Sequence, residues 1–190
     1  MKLIISTIGI VIIFIVLMFS YYGLFAKVKI VEKEVGPFWL VYAKHVGDYK
    51  GDNPTAFNIY SNLVNQDSLK ITRGVSLYYD NPKKVTKENL RSIVGCIVDK
   101  KDEDKIEALK KKYKIKKYPV SKSLVAEFPF KGKFSRVTGM FRVYPKLAKY
   151  IEKKNYPQVP IMEIFDPLNK KISFIASVDI DSKFFEEFLK

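Results

Sequence analysis

At 190 residues, with a formal charge of +14 from 34 Lys and Arg against 20 Asp and Glu, the chain has room for one domain with a real core and not for two of ordinary size. A single cysteine, Cys96, excludes an internal disulfide and fits a reducing compartment. The basic excess is mostly Lys, spread from Lys44 to Lys190. A solvated Lys-rich surface ranks first as its reading, and attraction to an anionic leaflet, at about 1 kcal/mol per basic residue, ranks second. RNP-like, zinc-finger and helix-turn-helix patterns are lacking, so nucleic acid ranks last among the partners.

Leu3 to Ala26 runs without a charge and is dominated by Ile, Val, Leu and Phe. As a helix rising ~1.5 Å per residue it is long enough to cross a bilayer. A secretory signal has a shorter apolar core, roughly 7–15 residues, and small residues before its cut; here Leu24 stands where a cut after Ala26 needs a small one. Residues 1–26 are therefore expected to be a retained transmembrane anchor. Lys27, Lys29 and Lys33 follow the run, whereas only Lys2 precedes it, which places the C-terminal domain in the cytosol. A juxtamembrane linker over 27–36, a domain over 37–181 and a short amphipathic tail over 182–190 complete the expected organisation.

Phe38 to His45 reads as a strand apolar on both faces, so both should be covered. Gly47-Asp48-Tyr49 turns it, Asp52 or Asn53 offers a helix cap, and Pro54 suits the first helical position. Phe57, Tyr60, Leu63 and Val64 recur at helical spacing as the buried stripe of that helix. Val75–Tyr79 and Ser92–Val98 are strands, with Gly95 marking a bulge or a close backbone approach. The charged stretch Asp99–Lys117, striped by Ile106, Leu109 and Tyr113, predicts a short surface helix crossing between halves. The order then repeats. Leu124–Phe130 is a strand, Gly132-Lys133-Phe134 a turn, and a helix follows with Met140, Val143, Tyr144, Leu147 and Ile151 on one face, kinked or ended by Pro145. Ile161–Phe165 and Ile172–Val178 are the last strands. The pattern is α+β: a tandem βαββ duplication whose halves pair edge to edge into one curved antiparallel sheet, with two helices on one face and a shallow cleft on the other.

Local motifs carry a family resemblance. They are Tyr42-Ala-Lys-His45-Val-Gly47-Asp-Tyr49, Leu77-Tyr78-Tyr79-Asp80-Asn81-Pro82 with Val85, and Arg91-Ser-Ile-Val94-Gly95. The second half adds Ala126-Glu-Phe-Pro129-Phe130, Arg142-Val-Tyr144-Pro145-Lys-Leu147 with Tyr150-Ile151, and Pro160-Ile-Met-Glu163-Ile164. Together with the anchor, this ordered set resembles the GyrI-like (SOUL/effector-binding) superfamily, and within it the family of animal testis-expressed, membrane-anchored ER-phagy receptors. The resemblance covers nearly all of Leu3 to Val178. It implies a single-pass protein of the endoplasmic reticulum membrane with a cytosolic, non-enzymatic adaptor domain. The partners it implies are a p97-type unfoldase and the autophagy machinery. Those animal proteins carry their autophagy-related-protein-8 motif in a long acidic tail. Here Phe165-Asp-Pro-Leu168 has the motif's spacing but ends a strand, and Phe184-Phe185-Glu-Glu-Phe188-Leu189 has a helical stripe instead. Weak or no binding of such homologues by residues 27–190 is the expectation.

Among ionisable residues Glu163 leads. It sits mid-strand between Met162 and Ile164, and in effector-binding relatives the matching glutamate of the Pro-x-x-Glu motif faces the central cleft and meets cationic, aromatic ligands. A small cationic aromatic ligand is thus the alternative partner, with Glu163, Glu127, Trp39, Tyr42, Tyr79 and Tyr144 as the cleft candidates. The competing reading is a strand glutamate paired with a lysine, and ordinary packing for most of the aromatics, Tyr78 included. Glu127 alternates away from Leu124, Ala126 and Phe128. As a pair with Glu163 it gives a lower-ranked hydrolase reading, since acid–base work needs two carboxyls in reach of one bond. His45 is a usual axial haem ligand type, but a lone His at a strand end is more often a structural residue. Cys96 reads as a small buried residue. The sequence has no phosphate-binding Gly loop and no metal-ligand cluster, so no cofactor or metal is expected.

Overall fold

The computed structural model describes residues 2–49 and 54–190; Asp52 and Asn53, read above as a helix cap, lie outside the described residues. Eight strands form one antiparallel sheet: β1 (Ile30–Val35), β2 (Phe38–Val46), β3 (Arg73–Tyr78), β4 (Arg91–Val98), β5 (Lys114–Tyr118), β6 (Ser121–Pro129), β7 (Ile161–Asp166) and β8 (Lys171–Ser177). Their order across the sheet is β1-β6-β8-β7-β3-β4-β2-β5. The helices are α1 (Lys2–Tyr21), α2 (Pro54–Asn65), the single turn α3 (Ile106–Leu109), α4 (Lys133–Lys153) and α5 (Ser182–Glu186). The two βαββ units are β2-α2-β3-β4 and β6-α4-β7-β8, and they meet edge to edge at β3 and β7, where Ser76 lies opposite Glu163 and Leu77 opposite Met162.

Two strands correct the sequence reading. The linker over 27–36 contains β1, and the expected surface helix over Asp99–Lys117 is a 3-10 segment (Lys100–Lys105), the turn α3 and then β5. Both strands carry Glu or Lys at half or more of their positions, the composition of a sheet edge that discourages further pairing. Each is exchanged between the halves: β1 pairs with β6 of the second unit, and β5 pairs with β2 of the first.

Alternation along the strands sorts the side chains into two layers. Leu40, Val75, Leu77, Ile93, Ile97, Val125, Met162, Ile164 and Ile175 form one cluster with Phe185 and Phe188 of the C-terminal segment. Residues from β5 at one edge and from β6 near the other belong to this one cluster, so the sheet curls around the segment and this face is the inner one. The cleft expected here is filled: Phe185 and Phe188 are fully buried in it.

The outer face is covered by the helices. Ile59 and Leu63 of α2 pack on Val41, Cys96 and Val98; Val143, Leu147 and Ile151 of α4 pack on Leu124, Ala126, Phe128, Ile172 and Phe174. The stripe of α2 differs from the sequence reading, because Phe57 and Tyr60 are exposed and Ile59 takes the buried place. Pro145 does not end α4, which continues through it to Lys153. Gly95 marks a close approach: a Cβ there would stand 1.9 Å from the Val41 carbonyl oxygen of the neighbouring strand.

The backbone of α1 is helical for 20 residues, with Ile8, Val11, Phe14 and Leu17 exposed. Counted over the described residues, no helix is long and apolar enough to cross a membrane; nothing is described of the side chains of Lys2, Leu3 and Ile5.

Candidate functional site

Glu163 lies mid-strand in β7, at the centre of the sheet. Met162 and Ile164 beside it belong to the inner layer, so alternation turns Glu163 to the outer face, under α4. It has no exposed surface. A buried carboxylate needs partners, and α4 supplies them from one of its faces. Tyr144 donates its hydroxyl to Glu163 Oε1 at 2.8 Å. Arg136, eight residues earlier and so on the same side of the helix, holds its Nε 3.8 Å from Glu163 Oε2. Burial pushes the Glu163 carboxyl up to about 7, although the Arg136 charge and the Tyr144 hydrogen bond both favour the ionised form. The same burial, with the carboxylate close by, lifts the Tyr144 phenol well above its ordinary range, which keeps it a donor.

Around this pair the site is aromatic. The Arg136 guanidinium sits 5.4 Å from the Phe165 ring centre and 5.7 Å from that of Tyr78, within the reach of cation–π attraction. It also donates to the Tyr78 hydroxyl and, at 3.5 Å, to the Tyr49 carbonyl. Burial raises the Tyr78 phenol to about 12. Tyr49 stacks edge-on against Tyr78 at 4.7 Å and donates its own hydroxyl to the Arg91 carbonyl. Arg91 in turn grips Asp80 with two nitrogens, at 2.7 and 3.0 Å, and holds its carboxyl below the usual range. One imperfection remains at the centre. Glu163 Oε2 and Arg136 Nε are both buried and neither has a hydrogen-bond partner, so the ion pair is close without being closed.

The sequence candidates separate into four places. Glu163 and Tyr144 are together on the outer face. Tyr42 and Tyr79 are on the inner face, under the C-terminal segment: the Tyr42 ring is 5.0 Å from that of Phe188, and the Tyr79 hydroxyl donates to the Phe185 carbonyl at 2.7 Å. Trp39 is at the edge beside β5, donating to Glu103 at 2.8 Å with Lys110 and Lys117 over its ring. Glu127 is apart from all of these. It is opposite Ser173, which is opposite Ile164, so it points to the inner side of the sheet, where Lys171 and Lys33 pair with it at 2.9 and 3.4 Å. Glu127 and Glu163 face opposite sides of the sheet and are not a carboxyl pair for acid–base work. His45 is half-buried, and among the described residues no group of His, Cys, Asp or Glu is placed to hold a metal. Cys96 is buried and its thiol is raised to about 12 by that burial, which keeps it protonated and inert. Phe165, the aromatic of the Phe165-Asp-Pro-Leu168 spacing, is held in β7 against Phe130 and Arg136.

Arg136 is the residue that the sequence reading missed. Its signal was available: an arginine in a lysine-dominated chain, eight residues before Tyr144 on the same helix.

No family model matches the chain. It is 30% identical over 152 residues to the Testis-expressed protein 264 homolog of Mus musculus, and 28% identical over 154 residues to Testis-expressed protein 264 of Homo sapiens. Each alignment covers 77% of this chain and 47% of the relative, so the chain spans about half the length of the curated relatives it matches. Among solved structures, the crystal structure of the EcmrR C-terminal domain superposes with a TM-score of 0.52 at 13% identity, over 81% of this chain and 99% of that one. The chain thus shares the fold of the EcmrR C-terminal domain, and in sequence it is similar to Testis-expressed protein 264 of mouse and human.

Proposed function

We propose that the chain is a membrane-tethered, non-enzymatic adaptor, whose GyrI-like domain is held at the cytosolic face of the endoplasmic reticulum by α1 and recruits protein partners there. The observation that carries this reading is that the inner face of the curled sheet and the space beside Glu163 are both occupied by the chain itself. Phe185 and Phe188 fill the inner face, and the Arg136 guanidinium takes the cationic position beside Glu163, Tyr78 and Phe165. A domain so filled has its outer surface left for recognition. The tether rests on the uncharged run from Leu3 to Ala26 in the sequence, on the exposed apolar side chains of α1, and on the Lys27, Lys29, Lys33 bias. Similarity to Testis-expressed protein 264 supports a p97-type unfoldase and the autophagy machinery as the partners to test first.

Two measurements test it. In sealed microsomes, added protease digests the domain; protection would reverse the topology. The full chain in detergent micelles captures a p97-type unfoldase, and failure to do so removes that partner.

A second reading has one observation in its favour. The unpartnered Glu163 Oε2 is an open acceptor that a small cationic aromatic ligand would satisfy if Arg136 swung aside. Tetraphenylphosphonium is a suitable probe: at about a hundredfold excess over its Kd, a bound ligand adds about 2.7 kcal/mol to stability. A melting temperature that does not move, in the wild type and in Arg136→Ala alike, removes this sensor reading.

A further inference from the structure

The first half of α4 carries its polarity reversed. Its buried face opens with the small or polar residues Ser135, Thr138 and Gly139. Gly139 brings the helix so near the sheet that a Cβ there would lie 3.0 Å from the Phe174 ring. The apolar bulk stands outside instead. Phe134, Val137 and Phe141 are 47%, 43% and 78% exposed, and their i, i+3, i+7 spacing makes one stripe, continued by the exposed Pro145 and Ala148. A helix of a freely soluble surface would carry charges there.

The stripe begins where α1 ends. The Phe134 ring is 6.4 Å from that of Phe19 and 5.3 Å from that of Tyr22, and Lys131 stands over the Tyr21 ring at 4.5 Å. Further along, Arg142 and Lys146 donate to the Ala26 and Val28 carbonyls at 3.3 and 3.4 Å. The segment leaving α1 is therefore held against α4 and does not swing as a free linker. Exposed Lys131, Lys133 and Lys149 flank the stripe. Aromatic side chains level with the end of a span, beside an apolar helix face edged by lysines, make the composition of a membrane interface with an anionic leaflet.

We infer that the outward face of α4, from Phe134 to Ala148, rests on the anionic surface of the membrane into which α1 leads, so that the domain is held in one orientation to the lipid. This rests on the reading of α1 as an anchor.

Because Cys96 is buried, an added surface cysteine takes an environment-sensitive fluorophore selectively. The full chain carrying Val137→Cys on the stripe, or Glu107→Cys at an exposed position of α3 away from it, is reconstituted into phosphatidylcholine–phosphatidylserine vesicles with a quencher at headgroup depth. The label at 137 loses emission to the quencher and the label at 107 does not. Adding Phe141→Glu abolishes the loss at 137, with the melting temperature and the resistance to alkaline extraction unchanged. Equal quenching at 137 and 107 in protein that resists extraction overturns this inference and leaves the anchor standing. Protein that alkali extracts overturns the anchor reading, and this inference with it. Shielding at 137 that persists in detergent, with crosslinks between copies, gives the stripe to a second copy and also overturns it.

Discussion

Glu163→Gln separates the electrostatics of the buried site from its packing, because the amide keeps the shape of the protonated carboxyl. In the folded chain the Glu163 carboxyl titrates at about 7, against an ordinary value of 4.5. The folded state thus holds this proton more tightly than the unfolded chain does. Its contribution is complete below the ordinary value and is lost as pH rises through about 7. At about 1.4 kcal/mol for each pH unit between the two values, the whole window corresponds to about 3 kcal/mol, an upper figure. The assay is denaturant unfolding of the full chain in detergent micelles, followed by Trp39 fluorescence, from about pH 5 to about pH 8. The wild type loses stability relative to Glu163→Gln across that interval, so the difference between the two proteins slopes downward with rising pH. A difference that stays flat, or that slopes the other way, would refute the argument, since it would mean that Arg136 closes the pair and keeps Glu163 ionised throughout.

Tyr144→Phe removes the hydroxyl that donates to Glu163; a loss of about 1.5 kcal/mol from the ionised form moves the Glu163 midpoint up by about one pH unit, and a midpoint that falls in the same assay contradicts the assignment. Gly95→Ala sets a Cβ against the Val41 carbonyl and the Tyr42 backbone. Neither can move without parting β2 from β4, so a loss of about 3 kcal/mol or more is expected by denaturant midpoint. Phe188→Ala empties the space inside the curled sheet and costs about 3–5 kcal/mol; a cost under about 1 kcal/mol in the same measurement would show that the C-terminal segment is not part of the core.

The duplication was legible because each βαββ unit announces itself by period. Strands such as Val75–Tyr78 and Ile161–Phe165 are short apolar runs bounded by turns, and α4 shows its helical stripe despite Pro145. The exchanged strands were not legible, since Ile30-Val-Glu-Lys-Glu-Val35 and Lys114-Ile-Lys-Lys-Tyr118 owe their strand state to pairing with the other unit. Their partner strands, β6 and β2, lie next to them in the sheet but far off in the sequence, so as isolated stretches their charges read as linker or helix. Glu163 was found as a candidate, but its direction was not. Where both faces of a strand are apolar, alternation says that Glu163 faces away from Met162 and cannot say which side carries the helices. The filled inner face depends on Phe185 and Phe188, whose stripe is plain in the sequence but whose docking place is a property of the curl.

The exchange of β1 and β5 has a mechanical consequence. Neither unit, cut free between β4 and β5, would keep its full set of strands: the second would lack the β1 that borders β6, and the first the β5 that borders β2. Two such fragments would complement each other or stay open together, and one of them alone could complete its edge only by dimerising. The same clasp determines how tension enters the molecule. A pull on the N-terminal helix reaches β1 first, and β1 is zipped to the far unit. Load applied at one end of the chain is thereby shared by both halves before either has begun to unravel.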